Sequence, residues 1–360
     1  MTESDSTAVR LARSSEPEIS EVSDVSDGYI RNQLEKRRDE LNAVASSAAP
    51  AVPAAYLLNL LSDVDSALHR LDEGTYGICT ECHDTVERDR LLADPLVQLC
   101  LDHLTSDEQR ALERDLELAS RVQRGLLPQT NLQHGDWHVH YQYKPAGMVS
   151  GDYCDLIPPA SGEGKLVFFL GDVAGKGVAA SLLMTHLHAM FRSLTEVGLP
   201  LDRLLETANS VFCRSTIAGQ YATLICGRAG QDGEIEIGSA GHLAALIIGK
   251  DGVRQVSSTG VPLGMFSTSR YTIQSVRLEH GDSLLLYTDG ISEAVHASGM
   301  EYGASRLSNI ARERYGRGPQ EIAAACIKDV QTYSGGAKQS DDQTLMILHR
   351  ASPVQTSLDN

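Results

Sequence analysis

Residues 165–187 read KLVFFLGDVAGKGVAASLLMTHL. The apolar run Leu166–Leu170 has the length of a strand, far short of the ~20 residues of a membrane span. It ends in Gly171-Asp172, and Gly175 and Gly177 punctuate the chain before a helix-forming stretch, Val178–Thr195. A carboxylate after an apolar strand does nothing for burial and is costly there unless paired or bound to a cation. The pattern recurs. Asp289 ends SLLLYTDG, Asp152 follows Ser150-Gly151, and Asp341-Asp342 run into QTLMILHR. Working outward, short β-type runs alternate with Gly-containing turns after Gln129: WHVHYQYKPA, YATLICGRAG, EIEIGSAG and AALIIGKDG. Further helical stretches fall at Leu201–Ser215 and about Gln320–Tyr333. Strands that mostly follow one another, with helices grouped between them, predict an α+β fold with largely antiparallel sheets, not a doubly wound one.

The chain of 360 residues is 42% hydrophobic, enough for a sizeable core and for two or three folded units at ~100–200 residues each. Its 31 Lys+Arg against 48 Asp+Glu give a formal charge of −17, which repels nucleic acid and anionic lipid surfaces. Neither is an expected partner. The N-terminal stretch carries no apolar signal-peptide core, which predicts a cytoplasmic setting. Residues 1–27, polar and Ser- and acid-rich, read as a disordered tail, and 352–360 as a second tail. From near Tyr29, Ile30, Leu34, Leu41 and Val44 fall at helical intervals. SSAAPAVPAA breaks that helix, and Tyr56–Leu71 forms the next, predicting an antiparallel hairpin. Residues 106–128 read as a linker helix with Ser106 as its N-cap and Pro128 as its stop. Leu112, Leu116, Ala119, Val122, Leu126 and Leu127 form its apolar positions, which suit either a dimer seam or packing on its own domain.

Within 28–105, Cys79-Thr-Glu-Cys82 and Cys100-Leu-Asp-His103 are separated by 17 residues. Each two-residue spacing aims two ligands at one metal, so the pair predicts a tetrahedral zinc ribbon. With all four positions filled by protein, this Zn²⁺ is structural. His83, next to Cys82, is the weaker fourth ligand. Cys213, Cys226 and Cys326 read as small core residues.

Two resemblances follow. The segment LHRLDEGTYGICTECHDTVERDRLLADPLVQLCLDH resembles the DksA/TraR zinc-finger family through Gly74-Thr75-Tyr76-Gly77 and Arg90-Leu91…Pro95. That family reaches into RNA polymerase with acids at its hairpin tip. The tip here, near 46–55, has none, so an interaction or sensing module is expected instead. About residues 115–350 resemble the PPM (PP2C-like) serine/threonine phosphatases, specifically the SpoIIE/RsbU branch. LASRVQRGLLP, KPAGMVSGDYCDL, GDVAGKGVAASLLMTHL, SAGHLAALI, GVPLGMF, YTDGISEA and DDQTLMIL occur in order.

The second resemblance implies a PP2C-like β-sandwich over 129–351, flanked by helices and holding two Mn²⁺ or Mg²⁺ ions. Asp172 would bridge the ions, with the Val173 carbonyl on one and Asp152 beside it, while Asp289 and Asp341 complete the other. Asp342 would support the turn. The implied reaction is hydrolysis of phosphoserine or phosphothreonine without a covalent intermediate. The substrate is expected to be a phosphorylated STAS-domain anti-sigma-factor antagonist, with dimerisation through the linker helix and regulation by the zinc module. Ala174 stands where eukaryotic relatives carry a His, which leaves protonation of the leaving group to water. The rival is a non-catalytic zinc adaptor with a phosphatase-like scaffold. The segment 171–177 lacks the spacing of a Walker A loop; Lys176 orients the turn or meets substrate phosphate. His186 and His188 read as helix-packing residues, His138 and His140 as surface side chains, and His242 as structural.

Overall fold

The computed structural model describes residues 19–45, 54–103, 106–159, 162, 164–217, 219–337 and 339–352. The chain divides into two compact units, Met1–Leu112 and Glu113–Asn360.

In the first unit, α1 (Ile19–Ala45) and α2 (Ala54–Asp72) pair as a hairpin. Ile30 and Leu34 of α1 close against Val64, Ala67 and Leu68 of α2, and Arg31 meets Asp72 at 2.7 Å. α1 starts at Ile19 rather than near Tyr29, and the helix therefore occupies part of the stretch read as a tail. The rest of that tail, the hairpin tip at 46–53 and the C-terminal tail from 353 lie outside the described residues, and so does the Ser106 side chain on which the expected cap depends. Past α2 come two Cys-bearing turns, α3 (Arg88–Ala93) and a single 3₁₀ turn at Leu101–His103. Cys79, Val86, Leu91 and Cys100 form a small core of their own.

The unit boundary falls within α4 (Ser106–Leu126). The second unit continues through β1 (Asn131–His134), β2 (Trp137–Lys144), β3 (Asp152–Ile157), β4 (Leu166–Val173), α5 (Gly177–Glu196) and α6 (Leu201–Ser215). Then follow β5 (Ala222–Ala229), β6 (Glu234–Ala240), β7 (Ala245–Gly249), β8 (Gly252–Val256), β9 (Ile273–Arg277) and β10 (Ser283–Tyr287). The last elements are α7 (Asp289–Ser292), α8 (Ala304–Arg312), α9 (Pro319–Ser334) and β11 (Gln343–Arg350). A six-stranded sheet in the order β1-β2-β11-β10-β7-β8 packs on a five-stranded sheet in the order β3-β4-β5-β6-β9, and their strand pairs are antiparallel.

Alternation along the strands builds the layers. Cys154, Leu156, Phe168, Leu170 and Ile225 of the smaller sheet meet Val139, Tyr141, Leu284, Leu286, Met346 and Leu348 of the larger one in the inter-sheet core. The opposite parity covers the outer faces. Tyr153, Phe169, Cys226 and Leu224 pack under α5 and α6, and Leu246, Leu285 and Ile347 under α8 and α9. The sandwich expected from the sequence is present. The short elements α3, α7, α8, β1, β8 and β9 were not legible in its periodicity. His140, read as a surface side chain, is buried: it shares the outer face of the larger sheet with its cross-strand partner Ile347, where α9 covers β2, and it pairs with Asn131 Oδ1 at 2.8 Å. The apolar positions of α4 also divide. Leu116, Ala119, Leu126 and Leu127 are half-buried, whereas Leu112 and Val122 stay exposed; the polar Ser120 and Gln123 are buried and Leu118 is exposed.

Candidate active site and zinc cluster

Pairing carries Asp152 and Asp172 to one place, because they are direct cross-strand partners at the ends of β3 and β4, with Thr223 next in the row on β5. They share the parity of Cys154, Leu170 and Ile225, so all three side chains face the larger sheet at the open end of the sandwich. There β10 ends at Tyr287, with Asp289 following, and β11 begins just after Asp341-Asp342. The four acids of the sequence reading thus converge from four strand ends.

Three of them respond to burial and to the neighbouring charges. Burial, and then the negative charges of Asp289, Asp341 and Asp342, push Asp172 up to about 7. Burial first, and then Asp172, raises Asp152 well above the ordinary carboxylate range, and burial with Asp341 raises Asp289. Lys176 Nζ partly offsets this, meeting Asp341 Oδ2 and the Ser340 carbonyl at 2.8 Å each. Such a concentration of hard oxygen donors suits Mg²⁺ or Mn²⁺. The backbone leaves room as well: a Cβ on Gly151 would stand 3.3 Å from the Val173 carbonyl and 3.5 Å from Asp172 Oδ1. The residues present fit a pair of divalent ions.

The sequence reading did not identify what holds these acids. Thr288 and Thr344, from the larger sheet, donate hydroxyls to Asp152 Oδ2 at 3.0 and 2.5 Å. Their inward parity was readable, but a threonine in a strand carries no mark of such a role. Asp342 accepts the backbone N–H of Ala146 at 2.7 Å on one oxygen and of Gly151 at 2.8 Å on the other. It is a loop anchor, in line with the turn-supporting role expected. His242 bridges the sheets: Nε2–H donates to the Tyr287 carbonyl (3.1 Å), and Nδ1 accepts from Thr223 Oγ1 (2.9 Å). The acceptor-only carbonyl fixes that tautomer, and burial lowers this imidazole to about 4. Further back, Asp155, fully buried on β3, is gripped by Arg192 of α5 through two bonds of 2.6 and 2.7 Å. The bond lies 37 positions apart in sequence, outside any local motif.

In the first unit, donor atoms of Cys79, Cys82, Cys100 and His103 all lie within 4.8 Å of one another. His83 stands outside this group, its backbone in the left-handed region at φ 62° as the knuckle turns. Backbone N–H groups, led by that of Cys82, lower Cys79 to about 6; burial and the neighbouring thiols push Cys100 up to about 11. The reluctance of Cys100 to ionise beside Cys79 is of the kind that a thiolate-binding divalent ion such as Zn²⁺ reverses. No other group of three or more Cys, His, Asp or Glu gathers this tightly among the described residues. The carboxylates at the end of the sandwich are spread more widely.

Comparison with known proteins finds a match in each unit. The family model for Stage II sporulation protein E (SpoIIE) matches residues 162–351, and that for the prokaryotic DksA/TraR C4-type zinc finger matches residues 74–102. The fourth donor here, His103, follows immediately. Protein IcfG of Synechocystis sp. is 24% identical over 265 residues, covering 66% of this chain and 41% of its own length. Phosphoserine phosphatase RsbU of Bacillus subtilis is 26% identical over 245 residues, covering 67% of this chain and 72% of its own. Among solved structures, the SiaA-PP2C domain of Pseudomonas aeruginosa superposes with a TM-score of 0.61 at 21% identity, over 68% of this chain and 98% of that one. The fold is PP2C-like. No helix among the described residues is long and apolar enough to cross a membrane.

Proposed function

The chain belongs to the SpoIIE family, and on that premise we propose that its second unit is a metal-dependent phosphatase acting on phosphoserine or phosphothreonine in a protein substrate. One observation carries the reading: Asp152, Asp172, Asp289 and Asp341 converge from separate strand ends, and burial with the neighbouring carboxylates raises the proton affinity of Asp152, Asp172 and Asp289. Two Mn²⁺ or Mg²⁺ ions would be held by Asp172, the Val173 carbonyl and Asp152, and by Asp289 and Asp341. When bound, such ions supply Lewis-acid charge at the phosphoryl oxygens and a water acidic enough to attack near neutral pH.

The chain's own groups do the positioning. Thr288 and Thr344 keep Asp152 aimed from across the sandwich. Lys176 steadies Asp341, and its largely exposed ammonium offers an incoming phosphate a positive charge. Ala174 has no proton to give, so the leaving serine oxygen takes one from solvent and turnover is modest.

The family setting supports a phosphorylated STAS-domain protein as substrate and a cytoplasmic location. Exposed Leu118 and Val122 on α4 support a homodimer seam, and the cysteine cluster supports one structural Zn²⁺ in a regulatory first unit. The discriminating experiment is Mn²⁺-dependent hydrolysis of p-nitrophenyl phosphate, then of a phosphorylated STAS-domain protein, by wild type and Asp172→Asn. Loss of turnover in the variant is expected. Equal rates would favour the non-catalytic adaptor. Deletion of residues 1–105 should change activity; an unaltered rate would remove the regulatory role.

A further inference from the structure

The backbone just before Asp152 is held at several points. Ala146 N–H and Gly151 N–H go to the two oxygens of Asp342, and Asp152 N–H goes to Ser150 Oγ at 3.1 Å. Ser150 is fully buried, and both of its own backbone groups are taken by one side chain from α4. Gln123 Nε2 donates to the Ser150 carbonyl at 2.7 Å, and Gln123 Oε1 accepts the Ser150 N–H at 3.0 Å. The amide's orientation is forced, because a carbonyl only accepts and a backbone N–H only donates. Two bonds to one residue remove the pivot that a single bond would leave.

The helix that carries this clamp is firmly seated. Leu127, just past its end, packs against both the inter-sheet core and the core beneath α5 and α6. The Pro128 carbonyl accepts Tyr141 Oη–H at 2.7 Å. A buried amide with no partner is expensive, and a leucine at position 123 would satisfy packing alone. Gln123 also lies outside the stretch matched by the SpoIIE family model.

We propose that Gln123 is a positioning residue for Asp152: by clamping both backbone groups of Ser150, it sets where the β3 carboxylate stands in the divalent-ion site. The inference rests on the reading of Asp152 as part of that site. The clamp supplies the reference on the helix side, and Asp342 supplies it on the side of the larger sheet. Losing the first lets Ser150–Asp152 shift while Thr288 and Thr344 still hold the carboxylate tip.

The test uses the full chain with Gln123→Met, which keeps length and packing but loses both bonds, and Gln123→Glu, which keeps only the acceptor. Three quantities are read: amide hydrogen exchange of Ser150–Asp152 in metal-free protein, Mn²⁺ affinity by calorimetry, and kcat and KM on p-nitrophenyl phosphate. In Gln123→Met, exchange at Ser150 rises about tenfold because its N–H loses its acceptor, and Mn²⁺ affinity falls by about tenfold, the scale seen when a residue orienting a metal ligand is removed. kcat falls with KM unchanged, and Gln123→Glu lies between wild type and Gln123→Met in all three. Unchanged exchange at 150–152 together with unchanged Mn²⁺ affinity would overturn the proposal, even if activity or stability dropped. Should the Met variant fail to fold, the Glu variant is decided by the same two readings. Wild type that binds Mn²⁺ without hydrolysing phosphate would defeat the phosphatase reading alone, because exchange and affinity are measured without turnover.

Discussion

Replacing Asp172 with Asn should stabilise the metal-free protein while abolishing its response to Mn²⁺. In the fold Asp172 is raised from 3.8 to about 7, so the folded state holds a proton there more tightly than the unfolded chain does. Stability from this group is therefore intact below pH ~4 and lost progressively as pH rises toward ~7. At ~1.4 kcal/mol per unit the shift sets a ceiling of about 4 kcal/mol near pH 8; partial exposure and solvent screening reduce the realistic figure to ~1–2 kcal/mol. For a unit of this size that amounts to a rise in Tm of about 3–6 °C for the variant at high pH, and almost none near pH 4. Saturating metal reverses the order, since a ligand at a hundred times its Kd adds about 2.7 kcal/mol to the form that binds it. Calorimetric scans of both proteins at about pH 4 and pH 8, with and without millimolar MnCl₂, give the comparison. If the variant gains nothing at high pH without metal, or if Mn²⁺ stabilises both proteins equally, the four acids do not form the repulsive, cation-seeking cluster described.

Other consequences are more local. Chelating zinc, or replacing Cys100 with Ser, should release one Zn²⁺ per chain in a colorimetric assay and unfold the first unit, leaving the calorimetric transition of the second in place. Gly290→Ala would drive a methyl group into the Asp342 carbonyl, so a loss of about 3 kcal/mol or more is expected in urea titration, with activity falling as Asp289 shifts. Arg192→Met leaves the Asp155 carboxylate buried without its partner, which should destabilise by about 3–5 kcal/mol, and adding Asp155→Leu should recover much of that loss.

The ligand-type residues were legible because their chemistry conflicts with their local setting. An acid at the end of LVFFLGD or SLLLYTD has no reason to be there in a purely structural strand. Paired two-residue spacings likewise marked the cysteine cluster. The groups that hold the ligands conflict with nothing nearby. Thr344 is an ordinary strand residue, Thr288 stands in the link between β10 and α7, and Gln123 reads as the polar side of a helix. Asp155 shows its meaning only with Arg192 beside it, across a strand-to-helix packing that periodicity does not encode. His140 failed for a related reason: alternation along β2 gives two faces but does not say that α9, far along the chain, covers the outer one. The short helices α7 and α8 have too few turns for a period to emerge from the sequence.

The neighbouring carboxylates of Asp341 and Asp342 show how topology separates roles that composition leaves equal. The two stand at the entrance to β11, where successive side chains point to opposite sides. Asp342 turns toward the loop before β3, and both of its oxygens are taken by backbone N–H groups that cannot move away without undoing that loop. Asp341 holds its own turn through Oδ1, which accepts the Asp342 N–H at 2.9 Å, while Oδ2 meets the ammonium of a largely exposed lysine. A lysine on a flexible stem can be displaced by a cation at little cost; a pair of backbone amides cannot. Asp341 is therefore the member of the pair with an oxygen available to an ion, and Asp342 is the member whose loss would disturb Asp152 through Gly151.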